Sequence, residues 1–438
     1  MTDTGTSIAG IAKSRVPAIA AALLVLGAGG EAHAAESFRW VQYVPGGLEA
    51  RSIGEGGACP VATLDGTPAG MQVRSAPGAG YPIQVCALTV PDGTRSATID
   101  GTPLRLPVAD PRRILVLADT GCRMKGSKVQ ACNDINQWPF RVVASVAATM
   151  KPDLVVHLGD YHYRETACPA GNLGCAGSPF GDNWAVWRAD FFSPAEPLLA
   201  AAPWIAVRGN HEECNRGGKG WTRTLDPRPF DPATPCVAAS AAPYTVKLPG
   251  LALAVLDVAT ADEETVSTVQ AEAYRDQLQT VGQALAGGQS WLLLHRPIWS
   301  AEEMKGGRVV GANETLAAAA QNGGMPAAVS AMFSGHHHTF QVLNYDPAAD
   351  LPPQVVAGHG GDYADEGVPD DPAGLTILGV RVAGGMNQHG YGFLLMERAG
   401  PPGSEWTATS HDLRGNPVRS CTISVRVVTC GPRRVPGG

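Results

Sequence analysis

Six short apolar runs, each closing on Asp, Asn or His, constrain this chain more than any other feature. Ile114–Ala118 ends at Asp119, Leu154–Leu158 at Gly159-Asp160, and Trp204–Val207 near Gly209-Asn210-His211. Leu251–Leu256 ends at Asp257, Trp291–Leu294 at His295, and Met332–Ser334 at Gly335-His336. Short apolar runs bounded by turn residues read as buried strands. Helical stretches at 137–150 and 263–285 fall among them, and this alternation implies an α/β domain. Sites in such sheets form beyond the carboxyl ends of strands. One Asp after a strand is ordinary turn chemistry. Six ends of these residue types point to a site, because the first residue past a strand is held as rigidly as a metal ligand needs to be.

Around this core the sequence divides. Lys13 and Arg15, the apolar run Val16–Ala28 and Ala32-His33-Ala34 read as an export signal over residues 1–34, with the mature chain starting near Ala35. That run is short of the roughly 20 residues that cross a bilayer. No stable membrane insertion is therefore expected after cleavage. Residues 35–108 alternate in runs such as Gln84–Val90 and Ser96–Ile99, with turns at Pro91-Asp92-Gly93 and Asp100-Gly101. They read as a small β-rich N-terminal domain. Residues 109–400 hold the α/β domain. Residues 401–438 form a tail in which Cys421 and Cys430 bracket a surface β hairpin. The ten cysteines all follow the signal and are even in number. Pairing of neighbours is the simplest arrangement: Cys59–Cys86, Cys122–Cys132, Cys168–Cys175, Cys214–Cys236 and Cys421–Cys430. Disulfides belong to an oxidising compartment, so a secreted or periplasmic location is expected. Net charge is −7 and no long basic run occurs, which excludes nucleic acid as a resident partner. The sequence does not set the oligomeric state.

The strand ends extend into five blocks: Asp119-Thr120-Gly121, Gly159-Asp160-Tyr161-His162-Tyr163, Gly209-Asn210-His211-Glu212, Leu292-Leu293-Leu294-His295 and Gly335-His336-His337-His338. In this order they resemble the calcineurin-like metallophosphoesterases, and within them the purple acid phosphatases. The pattern of that group is Asp-x-Gly, Gly-Asp-x-x-Tyr, Gly-Asn-His-Asp/Glu, Val-x-x-His and Gly-His-x-His. Leu292 in place of Val is the one change within a block. The resemblance runs over residues 112–400. It implies a four-layer αββα sandwich with metals at one edge, preceded here by the β-rich N-terminal domain. It also implies that Asp119, Asp160, Tyr163 and His338 hold a first metal. Asp160, Asn210, His295 and His336 hold a second, with Asp160 bridging. His211 contacts the phosphate or protonates the leaving oxygen.

The chemistry agrees with that assignment. Two cations about 3.5–4 Å apart neutralise phosphoryl oxygens and acidify a bound water, which then attacks phosphorus in line. His336 and His338, two apart in an extended segment, can reach one site while His337 points elsewhere. Three anionic oxygens at the first site suit Fe(III), and the neutral donors of the second suit Zn, Mn or Fe(II). The general pattern has a His where Gly121 stands, and Tyr163 supplies the replacement ligand. Purple acid phosphatases with further histidines after the His295 position bind substrate with them. This chain has no His between His295 and His336. Arg123 and His337 are therefore candidates for substrate contact, Arg123 being equally suited to a surface salt bridge. The expected function is hydrolysis of small phosphate monoesters. The alternatives are a phosphodiesterase or nucleotidase on the same site, or a metal-retaining secreted binding protein.

Overall fold

The computed structural model describes residues 37–285, 288–365 and 367–431. The expected export signal lies outside them. Among the described residues no helix is long and apolar enough to cross a membrane.

The apolar runs form the centre of two sheets. In an 11-stranded sheet, Arg113–Leu117, Leu154–His157 and Trp204–Ala206 lie side by side and parallel. In an 8-stranded sheet, Leu251–Val255, Gln289–Leu293, Ala331–Ser334 and Gln354–Ala357 do the same. Successive side chains of a strand point to opposite faces, and both faces are apolar here. Ile114, Val116, Leu154, Val156 and Ile205 meet Leu253, Val255, Trp291, Leu293 and Phe333 in one layer between the sheets. Leu115, Leu117, Val155 and Trp204 face outward onto helices Phe140–Thr149 and Ser193–Leu199. Ala254, Leu292 and Met332 face helices Thr268–Ala284 and Glu314–Ala320 on the other side. Helix, sheet, sheet and helix make the four layers. Burying one side chain such as Leu253 or Phe333 stabilises the stack by roughly 1.5–3 kcal/mol.

The N-terminal β-rich segment departs from the expected separate domain over 35–108. Phe38–Val44 pairs in parallel with Trp204–Ala206, so Phe38–Val44, Gly47–Gly54, Gln84–Val90 and Gln72–Ser75 continue the 11-stranded sheet. Phe38 and Trp40 pack against Phe192 of the helix layer, which ties the segment in. Only Thr67–Gly70, Val61–Leu64, Ala97–Ile99 and Thr102–Pro103 form a small sheet of their own. The tail is likewise integral. Pro417–Ser424 and Val427–Cys430 end the large sheet and bury Cys421, Ile423 and Val428 between the sheets. The described residues form one compact unit, so residues 108 and 400 divide stretches of sequence within it.

All five disulfides join the neighbouring cysteines expected. Two helices are shorter than the periodicity suggests. The first starts at Phe140, because Pro139 follows a turn in which Trp138 N donates to the Asp134 carbonyl at 2.9 Å. The other starts at Thr268, where the Ser267 side chain accepts from Gln270 N. Glu263 and Glu264 therefore lie in the preceding loop and not on the helix.

Candidate metal centre

The parallel strands align their carboxyl ends, which brings Asp119, Asp160 and Asn210 from one sheet against His295 and His336 from the other. Asp119, Asp160 and His336 adopt φ of 57°, 61° and 74°. Such left-handed backbone costs on the order of 1–3 kcal/mol per non-glycine residue and persists only where neighbours enforce it. The loops enforce it on one another. Asp119 N donates to the Gly159 carbonyl at 3.0 Å, and Thr120 N to that of Asp160 at 3.0 Å. His336 N donates to Asp119 Oδ2 at 2.8 Å, and His211 N to Asp160 Oδ1 at 2.8 Å.

Two sets of donor atoms converge, sharing Asp160 Oδ2. Tyr163 Oη lies 3.0 Å from Asp119 Oδ1, 2.8 Å from Asp160 Oδ2 and 3.1 Å from His338 Nε2. His295 Nε2 lies 3.3 Å from Asp160 Oδ2 and 2.8 Å from Asn210 Oδ1, which is 3.0 Å from His336 Nδ1. Donors around an octahedral ion at about 2.1 Å stand roughly 3 Å apart, so both sets have the spacing of a first coordination shell.

Proton counting gives the same answer. His295 Nδ1 faces the Leu158 carbonyl at 2.8 Å and carries that hydrogen. His336 Nε2 faces Glu263 Oε1 at 2.7 Å and carries its own. A neutral imidazole has one N–H, so His295 Nε2 and His336 Nδ1 both turn lone pairs toward the Asn210 oxygen. At the first set, one phenol hydrogen serves two carboxylates. Burial and the Asp160 charge push the Asp119 carboxyl well above the usual carboxylate range. Lone pairs and buried negative charge converging without enough hydrogens fit a cation in each set. The residues behind the histidines fix their tautomers in the manner of metal-site supports.

Gly121 shows why a histidine is absent there. A Cβ at that position would lie 2.8 Å from Tyr163 Cδ2 and 2.9 Å from Tyr163 N. The tyrosine occupies the room that a side chain at 121 would need. Gly159 is equally confined, since its Cβ would fall 2.6 Å from His295 Nδ1.

His211 sits beside the shared carboxylate. Its ring centre lies 3.8 Å from that of Tyr163 with the planes tilted by 37°, its Nδ1 is 2.7 Å from Glu165 Oε1, and its Nε2 is 3.8 Å from Asp160 Oδ2. Arg216 Nε donates to the same Glu165 oxygen at 2.7 Å. The substrate candidates are placed differently. Arg123 is spent on the buried carboxylate of Asp362, with its guanidinium 4.9 Å from the Tyr163 ring centre and Nη2 3.5 Å from His338 Nε2. His337 turns away from both donor sets, with Nδ1 2.9 Å from Ser300 Oγ. Asp257, the remaining strand end, accepts from Ala241 N and Ala259 N and joins neither set.

The sequence reading assigned no role to the supporting carboxylates. Glu212 accepts from the backbone of Gly209, Asp160, Tyr161 and His162 at 3.0, 2.9, 2.9 and 3.2 Å. Asp190 accepts from Cys122, Tyr163 and Arg164 N at 3.2, 2.9 and 3.2 Å. Glu212 stands in a recognised block, so its place was a usable signal. Asp190, Asp362, Glu165 and Glu263 carry no motif.

Comparison with known proteins agrees with this architecture. The model of the calcineurin-like phosphoesterase family matches residues 112–340, just over half of the 438-residue chain. No curated protein matches the chain by sequence. Among solved structures, a purple acid phosphatase isolated from yellow lupin (Lupinus luteus) seeds is similar at 15% identity with a TM-score of 0.52, covering 88% of this chain and 74% of that one. The structure of PhoD is similar at 12% identity with a TM-score of 0.53, covering 92% of each chain. At these identities the likeness is one of fold, and the family match gives the activity class. This chain belongs to the calcineurin-like phosphoesterase family and is a hydrolase acting on phosphoric ester bonds.

Proposed function

We propose that the chain hydrolyses small phosphate monoesters outside the cytoplasm at a centre of two metal ions. The observation that carries this reading is the pair of donor sets that share Asp160 Oδ2. Asp119, Asp160, Tyr163 and His338 would hold the first ion, and Asp160, Asn210, His295 and His336 the second. Ions bound there neutralise phosphoryl oxygens and lower the pKa of a bound water. The chain's own residues do the rest. Glu212 and Asp190 hold the ligand loops in register. Glu165 accepts from His211 Nδ1, which turns Nε2 toward the centre; protonated at both nitrogens, the ring would give its Nε2 proton to the leaving oxygen and return to the neutral imidazole. Five disulfides suit an oxidising compartment.

The donor types separate the metals. Two carboxylates and a phenolate favour Fe(III) at the first site, while Asn210 and two imidazoles favour Zn, Mn or Fe(II) at the second. A phenolate bound to Fe(III) absorbs visible light. The purified protein is expected to be coloured, and Tyr163→Phe to lose the band. An unchanged visible spectrum in that variant would remove Tyr163 from the metal.

The reaction class is tested with a phosphomonoester and a phosphodiester of the same leaving group on metal-replete protein. Faster monoester cleavage is expected. Faster diester cleavage would identify a phosphodiesterase, and cleavage of neither with both metals bound would favour a binding protein.

A further inference from the structure

A cavity of about 350 Å³ opens beside His336, on the side where that ring meets Glu263. Its charge is unusual for a neighbour of a phosphate site. Glu263, Glu264, Glu302 and Glu314 line it, and among the described residues no lysine or arginine does. Glu263 is balanced, with Arg296 Nη1 at 2.5 Å and His336 Nε2 at 2.7 Å. Glu264, Glu302 and Glu314 have no ion-pair partner among the described residues.

A second feature points into the same space. His337 lines the cavity and is only 1% exposed, yet its Nε2 has no hydrogen-bond partner. Its other nitrogen is engaged by Ser300 Oγ. Gly311 keeps this edge of the ring open, since a Cβ there would lie 2.8 Å from His337 Cε1 and 2.6 Å from Glu302 Cβ. A buried polar atom without a partner is costly unless a ligand completes it.

We infer that this cavity receives the leaving group of the ester and selects one that carries a positive charge, namely the phosphate ester of an amino alcohol. The inference rests on the phosphoesterase reading and specifies its substrate class. Ionised carboxylates only accept hydrogen bonds, so the occupant must bring the donors. An ammonium group brings three, together with a positive charge that the glutamates lining the cavity attract. The same charges repel a leaving group that bears further phosphates, such as a nucleoside diphosphate. The phosphate is held by the centre and the ammonium by the cavity, so one ester spans both.

The test compares aminoethyl phosphate with the near-isosteric hydroxyethyl phosphate on metal-replete protein, in the native chain and in a Glu264→Gln/Glu302→Gln double variant. The native chain is expected to favour the amino ester by ~10-fold in kcat/KM at low salt, chiefly through KM, for charges some 5–6 Å apart near a surface. That ratio should fall toward one in the double variant and at high salt. Equal kcat/KM for the two esters in the native chain, or a ratio that the double variant leaves untouched, overturns the inference while leaving the phosphoesterase reading intact. If neither ester is cleaved with metals bound, while an aryl phosphate monoester used as a third substrate is, the cavity does not take this class. Failure to cleave any of the three would remove the phosphomonoesterase reading on which the inference rests.

Discussion

Asp160→Ala is expected to lower kcat/KM for a phosphomonoester on the order of 10³-fold or more, about 4 kcal/mol of transition-state stabilisation. The reason lies in one oxygen. Asp160 Oδ2 is 2.8 Å from Tyr163 Oη and 3.3 Å from His295 Nε2, so it belongs to both donor sets. Its removal would take a ligand from each ion that the two sets are proposed to hold. The other oxygen accepts from His211 N, so the His211 loop loosens as well. Steady-state kinetics with metal analysis checks this. Retention of both metals and of native turnover would show that Asp160 is not the bridge.

His211→Ala should reduce turnover by about 10²-fold or more, the usual span for a positioned acid or base, while metal content stays near native. The structure separates the two effects. The His211 imidazole belongs to neither donor set, and its backbone N–H to Asp160 Oδ1 survives in the alanine variant. What is lost is Nε2, which Glu165 turns toward the centre. A native rate in this variant would take His211 out of the mechanism. A chain stripped of metal would make it a ligand instead.

Much of this centre could be read from the sequence because most of the candidate ligands follow closely on a strand. Asp119, Asp160, Asn210, His295 and His336 each stand within four residues of the last strand residue. Apolar runs locate strands, and parallel alignment does the rest. The supporting groups could not be read this way. Asp362 reaches Arg123 across a sequence gap of 239, and nothing in the residues between foretells it. Glu263 was placed on a helix by an apolar rhythm that continues across Ser267, although the cap at Ser267 starts the helix five residues later. The N-terminal strands looked independent because alternation marks a half-buried strand without naming its sheet. The parallel pairing of Gln42 with Trp204 joins them to the core. Cysteine pairing was legible because the partners are close in sequence, with separations of 7 to 27.

The most direct test of the account is elemental analysis of the purified chain, with phosphomonoester hydrolysis measured before chelation, after it and after metal is restored. The account predicts two metal ions per chain and a rate that disappears and returns with them. Hydrolysis at the native rate by a chain freed of metal would contradict it.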